Sequence, residues 1–416
     1  MKKWGVLRSG SGYLLSVLIS AVVGVVSVPV VIQTAGASAW STIAVAQAAG
    51  SIAATVVAFG WPVVGPAAVA AARGAERRKI FVISLLSRSA ILAPTAIIAA
   101  VVIVLSIGWS DVTSAALVAG ITPVVGGLTA SWFFVGESRP SKLNSLDVLP
   151  RAAGTVVGIV LILGTSNLLA FVLSQFAGQV TALTLSYLSI RRRYPRPDRV
   201  RIAEVVQAMK RGGAGFSNAI LTSLYQNSPL VVVTNVAGAG TEIYAMADRL
   251  FRIAALALAP VTQVAQGYVP AAPTREELLA RMRRIILVGA ALAVATLVGF
   301  GILAPWLGTI FSHGQINLPY TVSFSLGGAL GLALVSSLVG RACLVPLGKT
   351  TTLAVAATAA AVVGLPGMIV AGIVFGVQGV AVSYLTAELT AFVIIIRPAF
   401  LILRADRRAD QERETA

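Results

Sequence analysis

The chain has 416 residues, of which 57% are hydrophobic and only 11% charged, and its mean hydropathy is +0.89. A soluble protein of this size needs about 25% charged residues to face water; soluble multidomain architectures are therefore excluded and a polytopic membrane protein is expected. The net charge of +17 then reads as basic loops at one membrane face, not as a nucleic-acid surface.

Taken in chain order, apolar runs able to cross a hydrocarbon core about 30 Å thick fall at 11–34, 41–71, 80–108, 112–136, 149–165 and 168–190. A second set falls at 214–236, 242–271, 285–311, 320–341, 349–371 and 376–397. The first run has a basic start and ends in Ala37-Ser38-Ala39, which imitates a cleaved secretory signal. Its full spanning length and the eleven runs that follow predict an uncleaved helix instead. The second run is long and broken by Gly60, Pro62, Gly65 and Pro66, which a membrane helix tolerates where neighbours satisfy the freed backbone groups.

The charges test this register independently. Lys2, Lys3 and Arg8, then 73–79 with Arg88, then Arg139, Lys142 and Arg151, all lie at ends facing one side. So do the basic residues of 191–211 and 275–284, then Arg341 and Lys349, and those from Arg397 onward. Thirty of the 32 Lys and Arg residues fit one face, with Arg88 assigned to a loop. By the positive-inside rule that face is cytoplasmic, with both termini on it, and the expected location is the cell (inner) membrane.

The basic segment 191–213 divides the chain into a six-helix bundle (1–190) and a second one (214–397), followed by a basic tail (398–416). Short motifs rhyme between the halves. Gly10-Ser11-Gly12-Tyr13 matches Gly213-Ala214-Gly215-Phe216, Ala35-Gly36-Ala37 matches Ala237-Gly238-Ala239, and Pro66-Ala67-Ala68 matches Pro270-Ala271-Ala272. Six helices per half is an even number, so the repeats are parallel, as in transporters that rock two bundles about a central site.

Polar residues inside spans mark the candidate site. On the seventh span Asn218, Thr222 and Tyr225 share a helical face, with Gln226 and Asn227 beside them. Such side chains hydrogen-bond sugar hydroxyls, or equally bond neighbouring helices. The two remaining basic residues, Arg249 and Arg252, lie in the eighth span with Asp248, Arg252 roughly 15 Å deep. Asp248 and Arg252 stand at i, i+4 and can pair. Either the pair is an internal strut, or the net positive charge left near the midplane receives an anionic head group. Glu388, deep in the twelfth span, is a candidate for ion coupling or for a lock against Arg249 or Arg252. Gln33 and Gln47 are the notable polar residues of the first half, which leaves a symmetric two-lobe anion site in doubt.

The only histidine, His313, reads as a solvated loop residue, and the only cysteine, Cys343, as a packing residue. With one of each, a disulfide framework and a Cys/His metal cluster are excluded. With no Gly-x4-Gly-Lys-[Ser/Thr] loop either, no cofactor, metal or catalytic residue is expected. The tail after Arg397 mixes apolar and basic residues and suits the surface of anionic membrane lipids.

Twelve helices in six-plus-six, short outer loops and a basic central linker resemble the MOP superfamily. Within it the chain is similar to the polysaccharide-transporter branch, the O-antigen (Wzx-type) flippases of lipid-linked oligosaccharides. The local carriers are Ser217-Asn218 and 225–229 on the seventh span, and 244–252 with Pro260 on the eighth. The resemblance implies an all-α fold of two six-helix bundles around a central cavity. It also implies a non-enzymatic flippase that moves a polyprenyl-pyrophosphate-linked oligosaccharide between leaflets by alternating access, working beside a polysaccharide polymerase or glycosyltransferases. The alternative is a cation-coupled multidrug exporter of the same superfamily, whose cationic substrates would favour cavity carboxylates. A membrane glycosyltransferase is disfavoured, because the longest outer loop has about ten residues.

Overall fold

The computed structural model describes residues 22–197 and 199–415, with side chains except at 211, 212, 214, 215, 217, 218, 350 and 405–415. The start of the first span and the Gly10–Tyr13 end of the repeat lie outside the described residues. Every regular element described is helical. In order these are α1 (Val22–Ala35), α2 (Ala37–Ala58), α3 (Trp61–Ala71), α4 (Ala75–Ile107), α5 (Thr113–Gly126), α6 (Ser131–Gly136), α7 (Pro140–Leu143) and α8 (Leu149–Thr165). There follow α9 (Leu168–Arg193), α10 (Ile202–Val236), α11 (Thr241–Tyr268), α12 (Arg275–Phe311), α13 (Tyr320–Ser337) and α14 (Thr350–Thr415).

Twelve passes emerge among the described residues once broken helices are joined and merged ones divided. Helices α2 and α3 form one pass, interrupted where Phe59 and Gly60 take left-handed φ values of 45° and 73°. Helices α5 and α6 form another, and α7 runs into α8 through a π-turn at Asn144–Val148. The last helix breaks at Gly376, whose φ of 61° and ψ of −143° no helix accommodates, giving passes at 350–375 and 377–415. The expected break at Gly60 and the expected number of spans therefore both appear, whereas Pro62, Gly65 and Pro66 lie within the unbroken α3; the molecule is an all-α, multi-pass membrane protein.

By its internal contacts the chain forms two compact units. The first ends at Thr234 and takes in Phe311–His313; the second comprises Asn235–Ile310 and everything from Gly314 onward. Helix α10 begins inside the basic segment and is held to the first unit by specific contacts. Thr55 donates to Ser223 at 2.9 Å, Phe216 stacks on Phe59 at 4.6 Å, and Val231 packs against the Ile103 cluster. At its exposed start the Lys79 ammonium hydrogen-bonds Glu204 and, with the Arg201 backbone N–H, holds that carboxyl below its ordinary range. The contact therefore weakens as falling pH protonates Glu204.

Small residues let the first unit's helices touch backbone to backbone, the packing mode available where lipid gives no hydrophobic drive. A Cβ at Gly178 would fall 2.7 Å from the Pro150 carbonyl and 3.0 Å from the Gly154 Cα, so α8 and α9 meet at a glycine pair. Where the first unit carries its basic residues, the core is aromatic instead: Trp61, Phe81, Trp132, Phe133 and Phe134 cluster with Val69 and Ile190. The second unit centres on Leu279, Met282, Leu334, Leu338 and the buried Cys343.

Arg88 corrects the sequence reading. It was expected in a loop, yet it lies within α4 and is fully buried. Its guanidinium donates to the carbonyls of Ser84 (3.1 Å), Gly127 (3.0 Å) and Thr129 (2.9 Å), and lies 5.8 Å from the centre of the Trp132 ring. Gly127 and Thr129 follow the last turn of α5, where helix carbonyls have no intrahelical donor. Arg88 supplies the missing donors, which is why the α5–α6 break is tolerated inside the unit.

Candidate functional site

The second unit holds the charged part of the predicted site. Helix α11 starts at Thr241 after a short 3-10 turn at Gly238–Gly240. Tyr244, Asp248 and Arg252 follow at four-residue spacing, so they rise along one face over roughly 12 Å. Arg252 Nε donates to Asp248 Oδ2 at 2.7 Å, the pair expected from the spacing. The Arg252 side chain stays 42% exposed and that of Asp248 18%, while Tyr244 is buried. Arg249 is half-buried.

The second part of α14 supplies the opposing side chains. Tyr384 packs edge-on against Phe251, with ring centres 5.8 Å apart, and lies within electrostatic reach of Asp248, Arg252 and Tyr244. Glu388 is one turn further along α14, 8% exposed and also within reach of Tyr384. A buried tyrosine thus stands between the α11 ion pair and the α14 carboxylate. Sequence reasoning missed Tyr384 and named Tyr244 only as part of the family resemblance, not as a site residue. The signal was present: each precedes a singled-out carboxylate by four residues, Tyr244 before Asp248 and Tyr384 before Glu388.

The neutral polar residues belong to the first unit. Tyr225 is buried, Gln226 is exposed and Asn227 is half-buried. The Asn227 amide donates to the Ser223 carbonyl at 3.0 Å and to its hydroxyl at 3.3 Å, and Ser223 in turn accepts from Thr55. Asn227 therefore serves, at least in part, the joint between α10 and α2, the packing role weighed for these residues. The side chain of Asn218 lies outside those described. Among the described residues no group of His, Cys, Asp and Glu could hold a metal ion.

Known proteins carry the same fold. The chain is similar to the lipid II flippase MurJ in an inward closed conformation, with a TM-score of 0.72 and 13% identity over 96% of this chain and 92% of that one. It is also similar to an inward-facing MATE-family multidrug resistance transporter of the MOP superfamily, with a TM-score of 0.61 and 14% identity over 93% and 96%. A MATE transporter of Vibrio cholerae gives 0.58 and 13%, over 97% of both chains. No curated protein sequence matches. At these identities the structural likeness establishes the fold alone. The sequence itself goes further, since residues 6–271 match the family described as polysaccharide biosynthesis protein. The chain thus belongs to the polysaccharide biosynthesis protein family.

Proposed function

We propose that this protein is a flippase that moves a polyprenyl-pyrophosphate-linked oligosaccharide from the inner to the outer leaflet of the cell membrane, for assembly of surface polysaccharide. The observation that carries this reading is the Asp248–Arg252 pair on α11, whose arginine side chain keeps 42% of its surface accessible. A charge within a span is tolerated where it faces a wet cavity or a partner. Arg249 lies one turn away, so this stretch of α11 carries two guanidiniums, the group that grips pyrophosphate oxygens in pairs. The polar side chains of α10 are assigned to the glycan. Family membership supports a transported glycan, and the flippase likeness supports a lipid-linked one. The likeness to multidrug transporters keeps a cation-coupled exporter as the second reading.

Purified protein in proteoliposomes tests the choice. It is expected to expose a tagged polyprenyl-pyrophosphate glycan to a lectin added on the far side. Proton- or sodium-driven release of a cationic dye, with no glycan movement, would instead select the exporter.

Glu388 gives a second test on the same preparation. Its burial one turn from Tyr384 favours a lock within the second unit, so Glu388→Gln is expected to lower folded yield and leave the pH dependence of the remaining activity unchanged. Normal yield with loss of pH-gradient dependence would make Glu388 the coupling site.

Orientation follows from the charge asymmetry, with both termini cytoplasmic. Cysteines introduced at Ser38, Ser110, Ala239 and Gln315 are expected to react with an impermeant maleimide in intact cells, whereas those at Ala75 and Pro195 are not. The native Cys343 is 1% exposed and contributes little background. One inverted site would overturn the topology.

A further inference from the structure

We infer that the first unit carries a binding site for the head group of an anionic phospholipid, separate from the residues assigned to transport. A cavity of about 440 Å³ opens between the segment that follows α6 and the last turns of α9. Arg139, Lys142, Arg192 and Arg193 supply its positive charge, and Glu137 is the only carboxylate in its lining. Glu137 is already engaged. Its side chain is 2% exposed, it accepts a hydrogen bond from the Tyr194 hydroxyl, and Arg77 and Arg193 each approach it to 3.7 Å. That leaves Arg139, Lys142 and Arg192 facing the cavity with no carboxylate within ion-pair distance among the described residues.

The apolar part of the lining identifies the ligand as a lipid. Along α9, Leu185, Leu188 and Arg192 follow at i, i+3 and i+7, so one helical face passes from leucine to arginine over about 10 Å. On the opposite wall the order Leu146, Lys142, Arg139 repeats that change. Both walls run from the apolar stretch of a membrane span to its basic end, and they converge on one cavity with Ser189 between the two zones. A free phosphate or nucleotide would use the cations and leave the leucines idle. A phospholipid uses both: its phosphate sits at Arg139, Lys142 and Arg192, and its acyl chains run along Leu146, Leu185 and Leu188. Basic pockets between spans hold anionic head groups through this division of labour, and the volume falls in the range of small-ligand sites, roughly 300–1,000 Å³.

Native mass spectrometry of the full chain, released from a mild detergent, reads this out without any transport step. Titrated with phosphatidylglycerol or phosphatidylcholine, the protein is expected to retain one phosphatidylglycerol preferentially. The triple variant Arg139→Gln, Lys142→Gln, Arg192→Gln should bind it on the order of 100-fold more weakly, at the phosphatidylcholine level. A control with equal charge loss in the second unit (Arg275→Gln, Arg284→Gln, Arg341→Gln) and the variant Arg249→Gln should both keep the preference. The Arg249 arm separates this site from the transport reading, which stands or falls on glycan flipping instead. If the triple variant folds poorly, Arg192→Gln alone, at an exposed position, should still reduce the preference. Equal binding of the two lipids, a preference that survives in the pocket variants, or equal loss in the charge control would overturn the proposal. Displacement of phosphatidylglycerol by inorganic phosphate would also overturn it, by making the site one for a free anion.

Discussion

Neutralising either arginine of α11 is expected to weaken binding of a polyprenyl-pyrophosphate glycan by about ten- to a hundred-fold while folded yield changes less. A charge-assisted hydrogen bond contributes roughly 1.5–3 kcal/mol, which sets that scale. Arg249→Lys should restore charge without the planar fork that grips two phosphate oxygens, and so recover only part of the loss. The opposing view treats Asp248–Arg252 as a strut and predicts a different pattern. Arg252→Gln would then strand Asp248 inside the span and reduce expression, whereas Arg249→Gln would be nearly silent. Arg252 keeps 42% of its side chain accessible beside its bond to Asp248, which leaves room for a ligand. Protein yield measured beside glycan flipping in both variants separates the readings. Full flipping by well-expressed Arg249→Gln would remove the anion site.

Arg88→Met should be the most damaging single change to the fold of the first unit. The methionine approximates the volume of the arginine stem but leaves the Gly127 and Thr129 carbonyls without their donor. An orphaned buried acceptor costs about 1–3 kcal/mol, so losing two, about 2–6 kcal/mol, removes a large part of the margin of a typical domain, about 5–15 kcal/mol. Arg88→Lys should rescue little, because a single ammonium cannot span the Ser84, Gly127 and Thr129 carbonyls held by the guanidinium. The measurement is the monodisperse fraction and melting temperature in detergent. Wild-type values for Arg88→Met would refute the role.

How the chain explained itself differed from one residue to the next. Asp248 and Arg252 were readable as a pair because four-residue spacing on a continuous helix brings side chains together whatever surrounds them. Arg88 was not readable. Its position near the end of an apolar run fits a loop charge as well as a buried clamp, and only the broken helix at Gly127–Thr129 provides carbonyls for it to hold. Tyr384 is similar: its proximity to Asp248 and Arg252, residues more than a hundred positions earlier, depends on the packing of α14 against α11. The sequence reading counted the seventh span with the second bundle, whereas contacts such as Thr55–Ser223 and Phe59–Phe216, which hydropathy does not encode, join α10 to the first unit.

What the sequence by itself determined is the membrane class, the number of passes, the break at Gly60 and the gathering of basic residues at span ends. These follow from local energetics: transfer of apolar runs into lipid, the φ freedom of glycine and the cost of carrying charge across a bilayer act on each segment independently. Tertiary structure alone decided which buried charges serve the fold and which stay accessible, and which leucines and arginines share the cavity beside Glu137. Those outcomes depend on long-range packing in lipid, where close backbone approach and the satisfaction of buried carbonyls select a helix's neighbours, and neither leaves a periodic trace along the chain.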